Sequence, residues 1–465
     1  MSPSKAERRA KIRGYANRQS VPQGGRIGFC LSNLNGEDLP QVPLRILRHG
    51  PRPAEVLRDT VEVPAQAVPA RGWQGCGWKT AYTLEIGGDW VSGIYALRAG
   101  HKDDDCEDVH FIVRNARPGT DTPIVVQVPT TTINAYNNWG GASLYGYNST
   151  PAPAPAVSFD RPQQKDALWP RGYGFADEWN LRVKAFVLWL DLAGYRADYM
   201  TSNDLHEDGA LLAHYQLFVS IGHDEYWSQP MRQHFDAFLA AGGNAAIFSG
   251  NTGFWQIRME GERGRLQVCY KNAEKDPVTE PARKTVTWRD AGYAENLSFG
   301  AGFAKGAWKG PGTIGHFVVH RPEHWAFAGT GLGNGDNLGN DSDEILLAYE
   351  TNSVDYAIGV DGRPVPTGSD GTPENYLILA SAELPDWGAP GNAAMGEFTP
   401  AGGGTVFNAA TTDWACGLER CLATGNPLET ATAKITRNVL NRLATQRRDD
   451  ESGGSLTCGR TWLNL

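Results

Sequence analysis

The side chains with most to offer chemically are Tyr136 and Tyr145, nine residues apart, and the pair His223 and Glu225, two apart. The tyrosines sit in residues 130–145, which also hold three asparagines and the pair Gly140-Gly141. His223 and Glu225 sit in Ile221-Gly222-His223-Asp224-Glu225-Tyr226-Trp227, and a third segment of this kind is Phe248-Ser249-Gly250-Asn251-Thr252-Gly253. Each of the three follows an apolar run, so each reads as the end of a buried strand that carries polar groups to one edge. Residues 130–145 read as a site loop. If the strand continues through His223 and Glu225, both side chains point to one side, as two groups acting on one ligand require.

Two phenolates and one carboxylate around a metal would form a hard, all-oxygen set with three negative charges. Such a set suits a trivalent cation such as ferric iron far better than zinc. The cation would also keep the phenols ionised near neutral pH, although a free phenol titrates near pH ~10. Other chemistries have less support. No G-x-S-x-G or G-x-C-x-G elbow follows a strand, and no G-x-G-x-x-G, Walker A or H-E-x-x-H motif occurs. The Asp- and Gly-rich stretch 336–344 lacks EF-hand spacing and reads as a solvated turn.

The elements that must position these groups follow from the patterning. Residues 24–116 show short alternating runs at 26–32, 44–47, 55–63, 81–86, 93–98 and 109–113, which predict a β-sandwich domain. From 120 to 446 strands alternate with helices, the mark of an α/β domain with a mostly parallel sheet. Within it, 124–128, 195–200, 215–221, 244–249 and 404–410 read as strands. Helices are expected over 178–193, from the N-cap Ser228 to about 241, and over 430–445. Residues 263–396 read as β-rich insertions, with strand candidates at 285–288, 316–319 and 345–350. In this arrangement His223, Glu225 and Asn251 fall at the carboxyl ends of successive parallel strands, where open α/β sheets bind ligands. The proline run 151–155 predicts an extended surface loop near the site.

Composition excludes several classes. With 465 residues, 41% hydrophobic and 20% charged, the chain is an ordinary globular protein of two or three domains. A net charge of -9 argues against a broad nucleic-acid surface. The basic residues Lys5, Arg8, Arg9, Lys11 and Arg13 lie in an N-terminal arm, 1–23, without the apolar core of a secretory signal, and no apolar run is long enough to span a bilayer. The charged, Gly-rich tail 447–465 reads as loose. Seven widely spread cysteines, none in a C-x-x-C pair, fit reduced thiols and a cytoplasmic location. Fifteen tryptophans leave a rival reading in which loops such as Trp73-Gln74-Gly75-Cys76-Gly77-Trp78 contact a carbohydrate or a protein.

Four segments in order carry a resemblance: Asn134-Ala135-Tyr136-Asn137-Asn138-Trp139-Gly140-Gly141-Ala142-Ser143-Leu144-Tyr145, Gly222-His223-Asp224-Glu225-Tyr226-Trp227-Ser228, Ser249-Gly250-Asn251-Thr252-Gly253 and Cys269-Tyr270-Lys271. Through them the chain resembles the N,N-dimethylformamidase large (beta) subunit family and its C-terminal-domain relatives. The resemblance implies an immunoglobulin-like β-sandwich followed by a glutamine-amidotransferase-like α/β domain, and an amide hydrolase with one iron held by two tyrosines and a glutamate. By matching segments, the implied ligands are Tyr136, Tyr145 and Glu225, with Tyr147 competing for the second tyrosine position. His223, Asn251 and Lys271 would surround the substrate, and a further family carboxylate falls at Glu350 in Ala348-Tyr349-Glu350-Thr351.

The expected function is therefore iron-dependent hydrolysis of the C–N bond of a small, N-substituted amide such as a formamide. Iron would polarise the carbonyl and lower the pKa of bound water. His223 or Glu350 would move protons, and Asn251 and Lys271 would stabilise developing negative charge. The alternatives are a non-catalytic carbohydrate- or protein-binding module on the same fold and a hydrolase of another C–N or ester bond. The expected partners are a small-molecule amide, a small partner subunit of the kind the family enzyme has, or further copies of the chain, and neither nucleic acid nor membrane.

Overall fold

The computed structural model describes residues 11–50, 54–101, 106, 108–163, 178–308, 314–341, 344–400 and 402–445. The tail 447–465 and the arm as far as residue 10 lie outside them. The rest of the expected arm is different: Ile12–Ala16 and Ser20–Pro22 are strands. They belong to the sandwich because Ile12, Ala16 and Val21 are apolar and enter its core.

The sandwich consists of a three-stranded sheet and a five-stranded sheet around one core. Ile27, Phe29 and Leu31 of the strand Arg26–Asn33 alternate into that core and meet Leu44, Ile46, Leu97, Phe111 and Val113 from the facing sheet. The outer face of the five-stranded sheet is also covered, since Ile94 and Ile112 join the core of the α/β unit.

That unit is mixed α/β around a nine-stranded sheet. Five strands, in the spatial order Asp198–Thr201, Ile124–Val128, Leu217–His223, Asn244–Gly250 and Val406–Asn408, pair in parallel. The remaining four, Gly391–Phe398, Leu377–Leu384, Phe317–Val319 and Asn337–Leu338, continue it antiparallel. The sheet is thus parallel over one half only, which corrects the expected mostly parallel arrangement. The parallel strands are fully buried, as their mainly apolar runs predict.

The long hairpin of Leu377–Leu384 and Gly391–Phe398 went unread in the sequence because its second strand is rich in alanine and glycine, which carry little strand preference. Small residues are needed there: a Cβ on Gly396 would lie 2.4 Å from the Leu377 carbonyl oxygen. Of the other expected insertion strands, 317–319 forms. Residues 285–288 contribute an isolated bridge from Thr287 to Trp255, and 345–350 the short strand Glu344–Ile345 and isolated bridges at Leu347 and Glu350.

Helices follow their capping signals. Ser228 accepts a hydrogen bond from the Met231 N–H at 3.4 Å and starts Gln229–Ala240, with Pro230 in the first turn. The expected helix 178–193 begins as a wide π turn, Trp179–Val183, before Lys184–Leu192. The closing helix Ala431–Thr445 packs Ile435, Val439, Leu440 and Leu443 into the sheet core. Trp414 joins the two layers: its ring stacks on Phe248 at 5.6 Å and its indole N–H donates to Thr436 Oγ1 at 2.9 Å. Trp414→Ala is therefore expected to cost about 3–5 kcal/mol, read as a lower urea midpoint with an unchanged denaturant slope.

Candidate functional site

A second, four-stranded sheet is built from Ala156–Ser158, Leu266–Val268, Trp255–Glu260 and Tyr226–Ser228. Its strand Tyr226–Ser228 starts directly after Glu225, and Lys271 follows the strand Leu266–Val268, so this sheet carries groups to the carboxyl ends of the parallel strands. There Tyr136, Tyr145, His223, Glu225, Asn251, Lys271 and Glu350 come together.

Tyr136 is the last residue of a short buried helix, Thr130–Tyr136, so the expected site loop begins as a helix and becomes a loop only after it. The two candidate phenols stack with ring centroids 4.4 Å apart. The Tyr136 hydroxyl donates to Glu225 Oε2 at 2.7 Å. The Tyr145 hydroxyl lies 2.9 Å from Glu225 Oε1 and 2.8 Å from the Tyr136 hydroxyl. Three oxygen-bearing side chains thus converge on one another. Tyr147, the other candidate, is 46% exposed, with its ring 5.7 Å from that of Tyr145. Tyr226, which sequence reasoning did not single out, donates to the Tyr145 hydroxyl at 2.5 Å. Its only signal was adjacency to Glu225.

His223 ends its strand, and Glu225 lies just past it in the turn. Their side chains still meet, with His223 Nε2 3.4 Å from Glu225 Oε2 and 2.8 Å from Glu350 Oε2. Between them Asp224 enters a different network, accepting from Gln127 Nε2 at 2.8 Å and Ser220 Oγ at 2.7 Å. Burial pushes the Asp224 carboxyl up to about 7. Asn251 donates from Nδ2 to Glu350 Oε2 at 2.9 Å. The Lys271 ammonium lies 3.2 Å from the centroid of the Tyr145 ring, a cation–π distance, and 5.0 Å from that of Trp255.

The site is buried, and burial sets its electrostatics. It pushes both phenols well above their ordinary range, and the Glu225 charge pushes further the same way. Burial lowers the Lys271 ammonium to about 8 against the pull of Glu225. Burial opposes charge on His223 as well, but Glu350 and then Glu225 outweigh it and raise the imidazole. Burial would raise Glu350, yet His223 and Asn251 hold it below the usual range. Glu225 is raised, by burial and then by Glu350, against His223 and Lys271.

The backbone is shaped for this arrangement. Among the described residues, five non-glycine positions have positive φ, and two of them are Asn251 (48°) and Lys271 (54°). Such strain gathers at functional sites. Glu225 N–H donates to Thr132 Oγ1 at 2.9 Å, tying the carboxylate to the helix that carries Tyr136. Gly222 has φ 72°, and a Cβ there would lie 2.6 Å from Glu178 Oε1, the oxygen that accepts the His223 N–H at 2.9 Å. Arg161, fully buried, donates to the carbonyls of Ser158, Trp139, Ala142 and Asn134 and so fixes the chain on both sides of Tyr136. Part of the rival contact loop faces inward: Trp78 is buried against Tyr15 and Trp139, and the backbone of Gly72 touches that of Gly140, while Gln74 and Gly77 are exposed.

The residues present fit a hard metal ion. Two hydroxyls crowd one carboxylate within 2.7–3.1 Å, all three side chains supply oxygen, and a low-dielectric setting disfavours phenolate without a cation. His223 Nδ1 and Asn251 Oδ1 are buried without hydrogen-bond partners among the described residues, so polar capacity remains beside the oxygens.

A buried set of oxygen donors with an imidazole and an ammonium lies at the strand ends of the parallel half of the sheet, where mixed α/β domains carry candidate ligand sites. Residues 48–428 match the family described as N,N-dimethylformamidase beta subunit-like, C-terminal, and the chain belongs to that family. It is 22% identical over 436 residues to the N,N-dimethylformamidase beta subunit of Alcaligenes sp, covering 79% of this chain and 54% of that protein. To the N,N-dimethylformamidase beta subunit of Paracoccus aminophilus it is 23% identical over 305 residues, covering 58% and 37%. The chain thus spans about half or less of the length of these relatives. A Pseudomonas fluorescens alkylpurine DNA glycosylase overlaps 23% of the chain at 10% identity with a TM-score of 0.14, too low for a shared fold. Among the described residues no helix is long and apolar enough to cross a membrane.

Two outcomes follow from this geometry. Gly222→Ala forces a Cβ onto Glu178 at positive φ and is expected to cost about 1–3 kcal/mol, measured by denaturant unfolding. Arg161→Met leaves several buried carbonyls without donors and is expected to cost at least about 3 kcal/mol, with a changed tyrosine near-UV signal from the displaced 134–142 segment.

Proposed function

We propose that this protein is an iron-dependent hydrolase of a small, N-substituted amide, with Tyr136, Tyr145 and Glu225 holding a single ferric ion. The observation that carries the reading is the convergence of these three oxygen-bearing side chains beside His223, Glu350, Asn251 and Lys271. Family membership supports it, since both curated relatives are named as dimethylformamidase subunits. Bound there, iron would supply Lewis acidity toward a carbonyl oxygen and toward water.

The chain's own groups provide the rest. With Nε2 of His223 directed at Glu350, Nδ1 is the ring nitrogen left to accept a proton from attacking water and return it to the departing amine. Glu350 orients the ring and stabilises its charged form. Asn251, bonded to Glu350 through its amide N–H, is positioned by the same carboxylate. Lys271 places positive charge against the Tyr145 ring and Glu225, where it offsets the negative donor set and charge that develops on the substrate. The aromatic walls, Tyr226, Tyr349 and Trp255, exclude water from these charges.

The relatives are beta subunits by name, so the proposal extends to an assembly with a small partner subunit or with further copies of this chain.

Protein purified without chelator is expected to carry about one iron per chain and a broad tyrosinate-to-ferric band in the visible region. Tyr136→Phe and Tyr145→Phe should remove or shift the band, whereas Tyr147→Phe should leave it in place. Glu225→Ala that kept both metal and hydrolysis would sink the reading. His223→Asn is expected to keep iron and lower kcat toward a formamide about 10²–10⁴-fold.

A further inference from the structure

We propose that His49, Asp108 and His110 form a second metal site, for a divalent transition ion of the zinc or copper class, where the sandwich meets the α/β unit. This inference is independent of the function proposed above. One suitable ligand atom from each of the three side chains lies within 4.8 Å of the others.

Sheet register creates the cluster. His110 pairs with Ala96 on the neighbouring strand Gly93–Ala99, and Ala96 pairs in turn with Leu47. His49 lies two residues beyond Leu47, with its N–H on the Ile94 carbonyl at 2.9 Å, so it keeps the same face. The small Ala96 between them leaves space, and the two imidazoles stack across it at 5.1 Å with an interplanar angle of 16°. Asp108 stands two residues before His110.

Chemistry selects the ion. His49 Nε2 is buried with no hydrogen-bond partner among the described residues, an exception that needs a reason in a folded interior. Burial pushes His49 down to about 4 and His110 down to about 3, so both rings are neutral at physiological pH, the form that binds metal. Two imidazole nitrogens and one carboxylate suit zinc, copper or nickel rather than magnesium or calcium, and differ from the all-oxygen tyrosine set. Arg98 donates to both Asp108 oxygens, at 2.6 and 2.7 Å, holding the carboxylate as outer-shell partners hold metal-ligating groups. The same carboxylate offsets the Arg98 charge felt at His49.

The position gives the ion a consequence. Trp179 packs its ring 4.5 Å from His49 and opens the π turn next to Glu178, whose carboxylate accepts the His223 N–H. A metal here braces the sandwich against the turn that supports the candidate active site.

The full chain, stripped with chelator, is titrated with Co²⁺ and followed by its visible d–d bands, with Cu²⁺ electron paramagnetic resonance as the second measurement. One equivalent of nitrogen-ligated Co²⁺ is expected in the wild type and in Glu225→Ala. At least tenfold weaker binding is expected in the His49→Gln/His110→Gln double variant, which should retain the far-UV circular dichroism of the wild type. Unchanged Co²⁺ affinity in a folded double variant overturns the site. Should that variant fail to fold, wild-type Cu²⁺ spectra decide: coupling to two nitrogens supports the site, and its absence overturns it.

Discussion

Two carboxylates, Glu225 and Glu350, are buried at the carboxyl edge of the parallel strands, and the protein must compensate them there. Removing an ion from water costs several kcal/mol after relaxation, and only opposite charge and directed hydrogen bonds offset it. His223 stands between the two, Lys271 adds a second cation, and Asn251, Tyr136 and Tyr145 donate hydrogen bonds. These groups come from five separate segments of the chain. The charge requirement is therefore also a requirement on topology, since it is met only when the helix after the first core strand, the ends of the next two, the small capping sheet and the 348–351 segment arrive together.

The supporting elements make sense in those terms. Thr132 ties the Tyr136 helix to the Glu225 backbone, and Thr412 does the same for Glu350. Glu178 and Arg182, paired at 2.9 Å, brace His223 from behind through the backbone that Gly222 leaves uncovered. The sandwich takes part as well. Its 72–78 loop packs on the tyrosine segment through Gly72 and Gly140, and its outer face shares a core with the α/β unit. It is a wall of the site as well as a neighbour of it.

Much of this was legible in residue patterns. The mainly apolar runs at 124–128, 215–221 and 244–249 predict the central parallel strands, and Ser228 with Pro230 marks the start of the next helix. Other parts were hidden for physical reasons. The second strand of the 377–398 hairpin holds alanine and glycine because tight packing demands small side chains there, at the expense of strand preference. Ile12–Ala16 was absorbed into an expected basic arm, since charged neighbours mask a short apolar alternation. Arg161 sits in no motif, and only its ring of backbone acceptors reveals it as the post around which the tyrosine segment is wrapped.

The sequence by itself determined that His223, Glu225 and Asn251 stand at strand ends, because strand periodicity and turn chemistry are local properties. It also determined that Tyr136 and Tyr145 belong to one polar segment, and through its motifs it pointed to the family. It could not decide between Tyr145 and Tyr147 as neighbours of Glu225, which depends on how the segment after Gly140-Gly141 folds back over Tyr136. Nor could it bring Glu350 to His223 across more than a hundred residues, or close Tyr226 and Lys271 over the phenols. Those are contacts between distant segments, and they exist only because the buried charges at the sheet edge are compensated when all the segments are in place.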